Sequence, residues 1–165
     1  MTIVIKKDKR IFLSFNAKKE EEYMLSKSAQ YAVKALIHLA ANSDKQNKIL
    51  ASNLAKEIDV PKAFLSKILQ QLAHSNLVSG IKGPNGGFYL SHKQKQNSVY
   101  RVILIVEGRD TFGSCVLGLH QCDYENPCAM HDLIAPSQTV LKENLKRISI
   151  LQAAQGDTKG TLDLH

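Results

Sequence analysis

The chain has 165 residues, 44% of them apolar and only 6% aromatic, with no Trp. That is one domain's length of chain with an aliphatic interior, which excludes wholesale disorder. No window approaches the ~18 uninterrupted apolar residues of a membrane span, and no basic-then-apolar signal peptide opens the chain. The expectation is a soluble cytoplasmic protein with no membrane partner.

The net charge of +7 is unevenly placed. Residues 24–95 hold ten bases against three acids, whereas residues 96–165 hold six bases against eight acids. A basic segment of this kind is the electrostatic footprint of phosphate binding. A solvated basic face gives the same arithmetic, so charge alone does not decide.

Residues 1–23 alternate charge clusters with short apolar runs and hold no amphipathic period. The run Lys18-Lys19-Glu20-Glu21-Glu22 is encoded by purine-only codons, like a ribosome-binding stretch ahead of the Met24 codon. The segment is expected to be either a mobile basic arm or an extension ahead of a true start at Met24. Val33, Leu36, Ile37 and Ala40 then predict an amphipathic helix over residues 28–42. Ala51, Leu54, Ala55 and Ile58 repeat the spacing in a shorter helix. Pro61 suits the first position of a third helix, striped by Leu65, Ile68, Leu69 and Leu72, with Asn76 as a left-handed cap.

Residues 77–82 read as a strand, 83–87 as a Gly-Pro-Asn-Gly-Gly turn, and 88–90 as the returning strand. A helix-turn-helix followed directly by a β-hairpin is a winged helix, and with the basic charge it points to double-stranded DNA. If the leucine stripe faces the core, Lys62, Ala63, Ser66, Lys67 and Gln70 face outward as a short polar reader for the major groove. Lys62, near the helix start, suits a phosphate. Lys82, at the wing's turn, suits either a narrow minor groove or a phosphate.

All three cysteines fall close together: Cys115, Cys122 and Cys128, with His131 a Cys-x-x-His step beyond. An odd number of clustered thiols reads as a metal site rather than a disulfide framework. The wide spacing fits an iron–sulfur cluster at least as well as zinc, whose structural loops pair ligands at two to four residues. Glu125 and Asp132 offer oxygen ligands; His120 is expected to be solvated, and His38 and His74 structural. No Cys-x-x-Cys pair, Gly-rich cofactor loop or clear second catalytic group stands beside the thiols, so an enzyme is not expected.

Tyr100–Glu107 is β-branched enough to read as a strand on propensity. Pro136 is expected to start a last helix with Leu141, Leu145, Ile148 and Leu151 on one stripe. With little intrachain core to cover, that helix is a candidate dimer seam.

MLSKSAQYAVKAL from Met24, the helix pair, VSGIKGPNGGFYL, VILIVEG and the three-cysteine loop, in this order, resemble the winged-helix regulators of the IscR/NsrR type. The resemblance covers residues 24 to about 153. It implies a mainly α fold with a small β-hairpin wing and a homodimer paired through a long C-terminal helix. It also implies an iron–sulfur cluster, [2Fe–2S] before [4Fe–4S], on Cys115, Cys122, Cys128 and a fourth ligand, His131. Cluster state would control binding to a pseudo-palindromic operator, residues 62–67 would read the major groove and Lys82 the minor groove. On the same grounds Tyr100–Glu107 is a helix leading into the loop. Three departures stand out: six rather than five residues in the first cysteine interval, Gln30 where NsrR-like members place a carboxylate ligand, and no counterpart for residues 1–23.

The expected organisation is an extension over 1–23, a winged helix-turn-helix domain over 24–95, a linker helix and cluster loop over 96–135, a dimerisation helix over 136–153 and a frayed tail over 154–165. The expected function is a transcriptional regulator, most simply a repressor, that senses redox state, iron supply or nitric oxide. The alternatives are a winged-helix protein with a structural Cys3His zinc and a cluster-free regulator governed by a protein partner.

Overall fold

The computed structural model describes residues 24–108, 111–119 and 122–156. The extension 1–23, His120 and the end of the tail lie outside them. Helix α1 (Lys27–Asn42) starts at Ser26, whose hydroxyl accepts from the Ala29 N–H at 3.1 Å. Of the four expected core positions, Leu36 and Ala40 are buried, while Val33 and Ile37 are half-buried. Ala29, Ala32 and Ala35 are more enclosed than either. The alanines let neighbouring backbones come close, a role that an apolar period built on large side chains does not register.

Helices α2 (Ala51–Glu57) and α3 (Lys62–His74) form the helix-turn-helix. Pro61 is the residue just before α3 rather than its first, and Leu65, Ile68, Leu69 and Leu72 are buried as the stripe requires. Asn76 takes the left-handed conformation at φ 58°. Its own N–H reaches Ala73 O at 3.0 Å, and the Leu77 N–H reaches back to Leu72 O at 2.9 Å. That is a Schellman closure of the helix end.

The wing pairs β1 (Ser79–Ile81) with β2 (Gly87–Tyr89) antiparallel, Gly80 opposite Phe88. A third segment joins it: Ile49 and Phe88 exchange two backbone hydrogen bonds of 3.0 and 2.8 Å. Gly87, at φ 145°, has no room for a Cβ, which would lie 2.9 Å from Ile49 O. The wing is thereby fastened to Ile49, two residues before α2. Helix α4 (His92–Lys95) begins with a Ser91/Gln94 capping box. Its Lys95 ammonium donates to Ala40 O and Ser43 O at 2.8 and 3.1 Å, closing the exposed end of α1.

Tyr100–Glu107 lies within helix α5 (Val99–Glu107), which corrects the propensity reading and agrees with the resemblance. Val99, Val102 and Ile103 share one buried face, Ser98 caps the start and Gly108, at φ 69°, ends the helix. Burial against α1 outweighs β-branched preference.

The C-terminal region differs from expectation in two ways. Helix α6 (His131–Arg147) begins five residues before Pro136, which sits inside it and costs one backbone hydrogen bond. The helix also does not run to residue 153: Ile148 is extended at ψ 122°, and a separate helix α7 (Ile150–Gly156) follows. Ser149 and Gln152 cap α7 reciprocally, with Ser149 N–H on Gln152 Oε1 at 2.9 Å and Gln152 N–H on Ser149 Oγ at 3.1 Å. The break is pinned by Val99 N–H on Ile148 O at 3.0 Å and Ile150 N–H on Asn97 O at 2.9 Å. Leu141 and Leu145 therefore belong to α6 and Leu151 to α7.

The main core joins α1, α2, α3, the wing's root, α5 and α7. A smaller cluster of Ala29, Val99, Ile103 and Phe112 receives Leu141 and Leu145 of α6 at its edge. Helix α6 itself buries no residue. Among the described residues, no helix is long and apolar enough to cross a membrane.

Ala29 tests the close packing of α1. Ala29→Leu forces extra methylenes between α1 and α5 and should destabilise the fold by about 1–3 kcal/mol. The same change at exposed Ala41 should leave the urea midpoint nearly unmoved, and equal effects would refute the close approach.

Candidate metal centre and nucleic-acid interface

Helix α3 carries the residues expected to read DNA. Lys62, Ala63, Lys67 and Gln70 are exposed; Ser66 is half-buried and its hydroxyl donates to Lys62 O at 2.8 Å. The Ser66 oxygen therefore keeps acceptor capacity but has committed its proton. Lys82 is exposed immediately after β1, followed by Gly83 at φ 111°. Gln70 and Lys82 line one cleft of about 390 Å³ between α3 and the wing, walled also by Leu50, Ala73, Ile81 and Phe88. The structure thus brings Gln70 of the helix and Lys82 of the wing to one cleft.

Sequence reasoning missed Phe64 on α3. It is 42% exposed and meets Tyr31 of α1 edge-to-face at 5.8 Å between ring centroids. Its position beside the outward stripe was the available signal. His38 pairs with Glu57 at 2.7 Å, tying α1 to α2 in the structural role expected of it, and His74 ends α3.

The cysteine loop runs from α5 to α6. Gly118, at φ 70°, turns the chain after Cys115, its N–H on Cys115 O at 2.9 Å. Asp123 Oδ1 accepts from the N–H groups of Glu125 and Asn126 at 2.9 and 2.8 Å, which folds the next bend. The three sulfurs converge within 4.8 Å of one another, each half-buried. Cys115 and Cys128 are 3.6 Å apart at sulfur.

His131, the first residue of α6, stands beside this trio rather than within it: its Nδ1 is 3.3 Å from Cys122 Sγ. Its ring meets Tyr124 edge-on at 5.0 Å. Its Nε2 is buried with no hydrogen-bond partner among the described residues. Glu125 and Asp132 are exposed and lie outside the sulfur group. Gln30 spends its side-chain amide on Leu25 O at 2.9 Å.

The thiols are electrostatically unlike. Backbone hydrogen bonding at Leu119, helped by Leu117 and the neighbouring thiols, lowers Cys115 to about 7 despite partial loss of water. At Cys122 a backbone hydrogen bond from Cys128 favours the thiolate. Loss of water and the adjoining Cys128 and Cys115 outweigh it, pushing the thiol up to about 11. One proton thus leaves the group readily and the next is resisted. Three converging soft donors, with His131 Nδ1 3.3 Å from one of them, fit a thiophilic metal or an iron–sulfur group.

The loop is tied to its surroundings at two points. Gln138 of α6 donates to Ser114 O at 3.3 Å. Phe112 packs against Tyr100 of α5, centroids 6.5 Å apart, and the ammonium groups of Lys142 and Lys146 lie 5.8 and 5.6 Å from the Tyr100 ring centroid.

Comparison with known proteins agrees with this architecture. The family model Rrf2, described as an iron-dependent transcriptional regulator, matches residues 25–156. A protein of Aquifex aeolicus named as an HTH-type transcriptional regulator is 31% identical over 110 residues, covering 66% of this chain and 75% of its own. The HTH-type regulator IscR of Sodalis glossinidius is 25% identical over 133 residues, or 81% of this chain and 79% of its own. Among solved structures, CymR, the global cysteine regulator of B. subtilis, superposes with a TM-score of 0.67 at 20% identity, covering 82% of this chain and 98% of its own. IscR of T. potens superposes at 0.64 with 17% identity, covering 84% and 90%. With a winged helix of this kind and these relatives, the chain belongs to the Rrf2 family of DNA-binding transcriptional regulators and is not an enzyme.

Proposed function

We propose that this regulator is a homodimeric repressor whose iron–sulfur cluster reports redox state, iron supply or nitric oxide. The convergence of three thiols at the head of α6 carries the reading. Cys115, Cys122 and Cys128 would hold the cluster, with His131 as the fourth ligand; [2Fe–2S] is favoured over [4Fe–4S]. When bound, the cluster supplies a one-electron couple and a target for oxidants and nitric oxide.

The chain's own residues supply the coupling. A shift of the cysteine loop pulls on α6 through the Gln138–Ser114 bond and the Phe112–Tyr100–Lys142/Lys146 stack. Helix α6 exposes Leu133 and Val140 and has no fully buried residue within its own chain, which supports a role as the dimer seam. Moving two such helices changes the spacing of two wings that must match a pseudo-palindromic operator. On each half-site Lys62 holds phosphate; Ala63, Ser66, Lys67 and Gln70 face base edges; Lys82 enters the minor groove.

The compactness of the sulfur group favours a second reading, a structural zinc on the same Cys3His set. Two thiolates on one tetrahedral ion with ~2.3 Å bonds stand about 3.8 Å apart, close to the 3.6 Å between Cys115 and Cys128.

Anaerobically purified protein should be coloured and carry iron and sulfide at about one cluster per chain. Cys→Ala at 115, 122 or 128 should abolish the colour, and His131→Ala should shift the spectrum or hasten cluster loss. Colourless protein with stoichiometric zinc decides for the second reading.

On DNA, Lys67→Ala or Gln70→Ala should cost ~1–3 kcal/mol on the cognate operator and relax selectivity there. Lys62→Ala should weaken every sequence alike and flatten the salt slope by about one unit. Lys82→Ala should penalise A·T-rich flanks more than G·C-rich ones, because narrow grooves concentrate negative potential. Titrations at fixed salt in which both flanks lose equally would reduce Lys82 to a phosphate contact.

A further inference from the structure

Two contacts divide the three thiols unequally. Cys115 and Cys128 stand 3.6 Å apart at sulfur, whereas Cys122, within 4.8 Å of both, also has His131 Nδ1 at 3.3 Å. A disulfide requires about 2.05 Å between sulfurs, so this pair needs to close by about 1.6 Å. The intervening loop has the freedom to do so, because its described residues between 111 and 128 contain no helix or strand. Cys115 also lines a cavity of about 520 Å³, bordered by Phe112, Val116, Gln138 and Leu141. A small solute can therefore meet Cys115 without entering the sulfur group itself.

We propose that in the metal-free chain Cys115 and Cys128 form a reversible disulfide by exchange with a low-molecular-weight disulfide, leaving Cys122 reduced. Cys115 Sγ, as thiolate, attacks one sulfur of the small disulfide; that S–S bond breaks, and the first small thiolate leaves and takes a proton from water. Cys128, having given its proton to water, then attacks Cys115 Sγ in the mixed disulfide and expels the second small thiol. Two cysteine thiols are oxidised and one small disulfide is reduced to two thiols. The bond removes two of the three sulfur donors, so the oxidised chain cannot take up metal until a thiol reduces it. The inference concerns the metal-free state and holds for either metal.

The full chain, stripped of metal under anaerobic conditions, is incubated with oxidised glutathione, alkylated and mapped by mass spectrometry. The expected main product is a Cys115–Cys128 linkage with Cys122 alkylated, reversed by dithiothreitol. Cys128→Ser should stop the reaction at a glutathione adduct on Cys115. The same incubation in urea should scramble the three possible pairings. A main product containing Cys122, three freely alkylated thiols, or a folded-state pattern identical to that in urea would overturn the proposal.

Discussion

The close approach of α1 to α5 and α7 organises the rest of the molecule. Ala29, Ala32 and Ala35 are fully buried with side chains of one carbon. Large residues there would push α5 outward and carry Tyr100, Phe112 and the cysteine loop with it. The same buried face of α1 holds the helix-turn-helix through Leu36 and Leu39, in the same core as Leu54, Leu65 and Leu69. One helix therefore fixes both the helix-turn-helix and the element that leads to the thiols. A displacement on one side has a rigid body through which to reach the other, since packed interiors deform little.

Stability is distributed to match. The winged-helix head is closed by the Ser91/Gln94 capping box, a Schellman turn and the Lys95 clamp on α1. Helix α6, by contrast, buries no residue and is steadied by the edge of the small apolar cluster, one amide hydrogen bond to the loop and two ammonium groups near Tyr100. Exposed cation–π contacts contribute roughly 0.5–1 kcal/mol each. Segments with so little burial occupy the low-stability end of a fold, from which switching elements are drawn. The break at Ile148–Ser149 marks the division: beyond it, α7 returns Ile150 and Ala154 to the main core.

The wing shows how a few glycines serve a surface. Its two strands are only three residues each, too short to hold a hairpin alone. The Ile49–Phe88 bridge adds a third backbone partner, and Gly87 permits that approach. Lys82 is consequently presented from a fastened loop, across a cleft from Gln70.

The sequence by itself determined the helix-turn-helix, the wing, the left-handed Asn76 and the gathering of three cysteines in one loop. These rest on local physics: apolar period, proline and asparagine backbone preference, and ligand spacing. It also contained the Ser149-x-x-Gln152 capping signal that ends the C-terminal stripe, although the regular leucine spacing masked it. Tertiary structure alone decided three matters. Val99–Glu107 is helical because α1 offers its β-branched face a place to bury. Pro136 lies within α6 because a single missing hydrogen bond does not stop a helix that starts at the end of the cysteine loop. Cys115 and Cys128 stand 3.6 Å apart with His131 beside Cys122, because sulfur-to-sulfur distance depends on how the loop folds and not on how many residues separate the thiols.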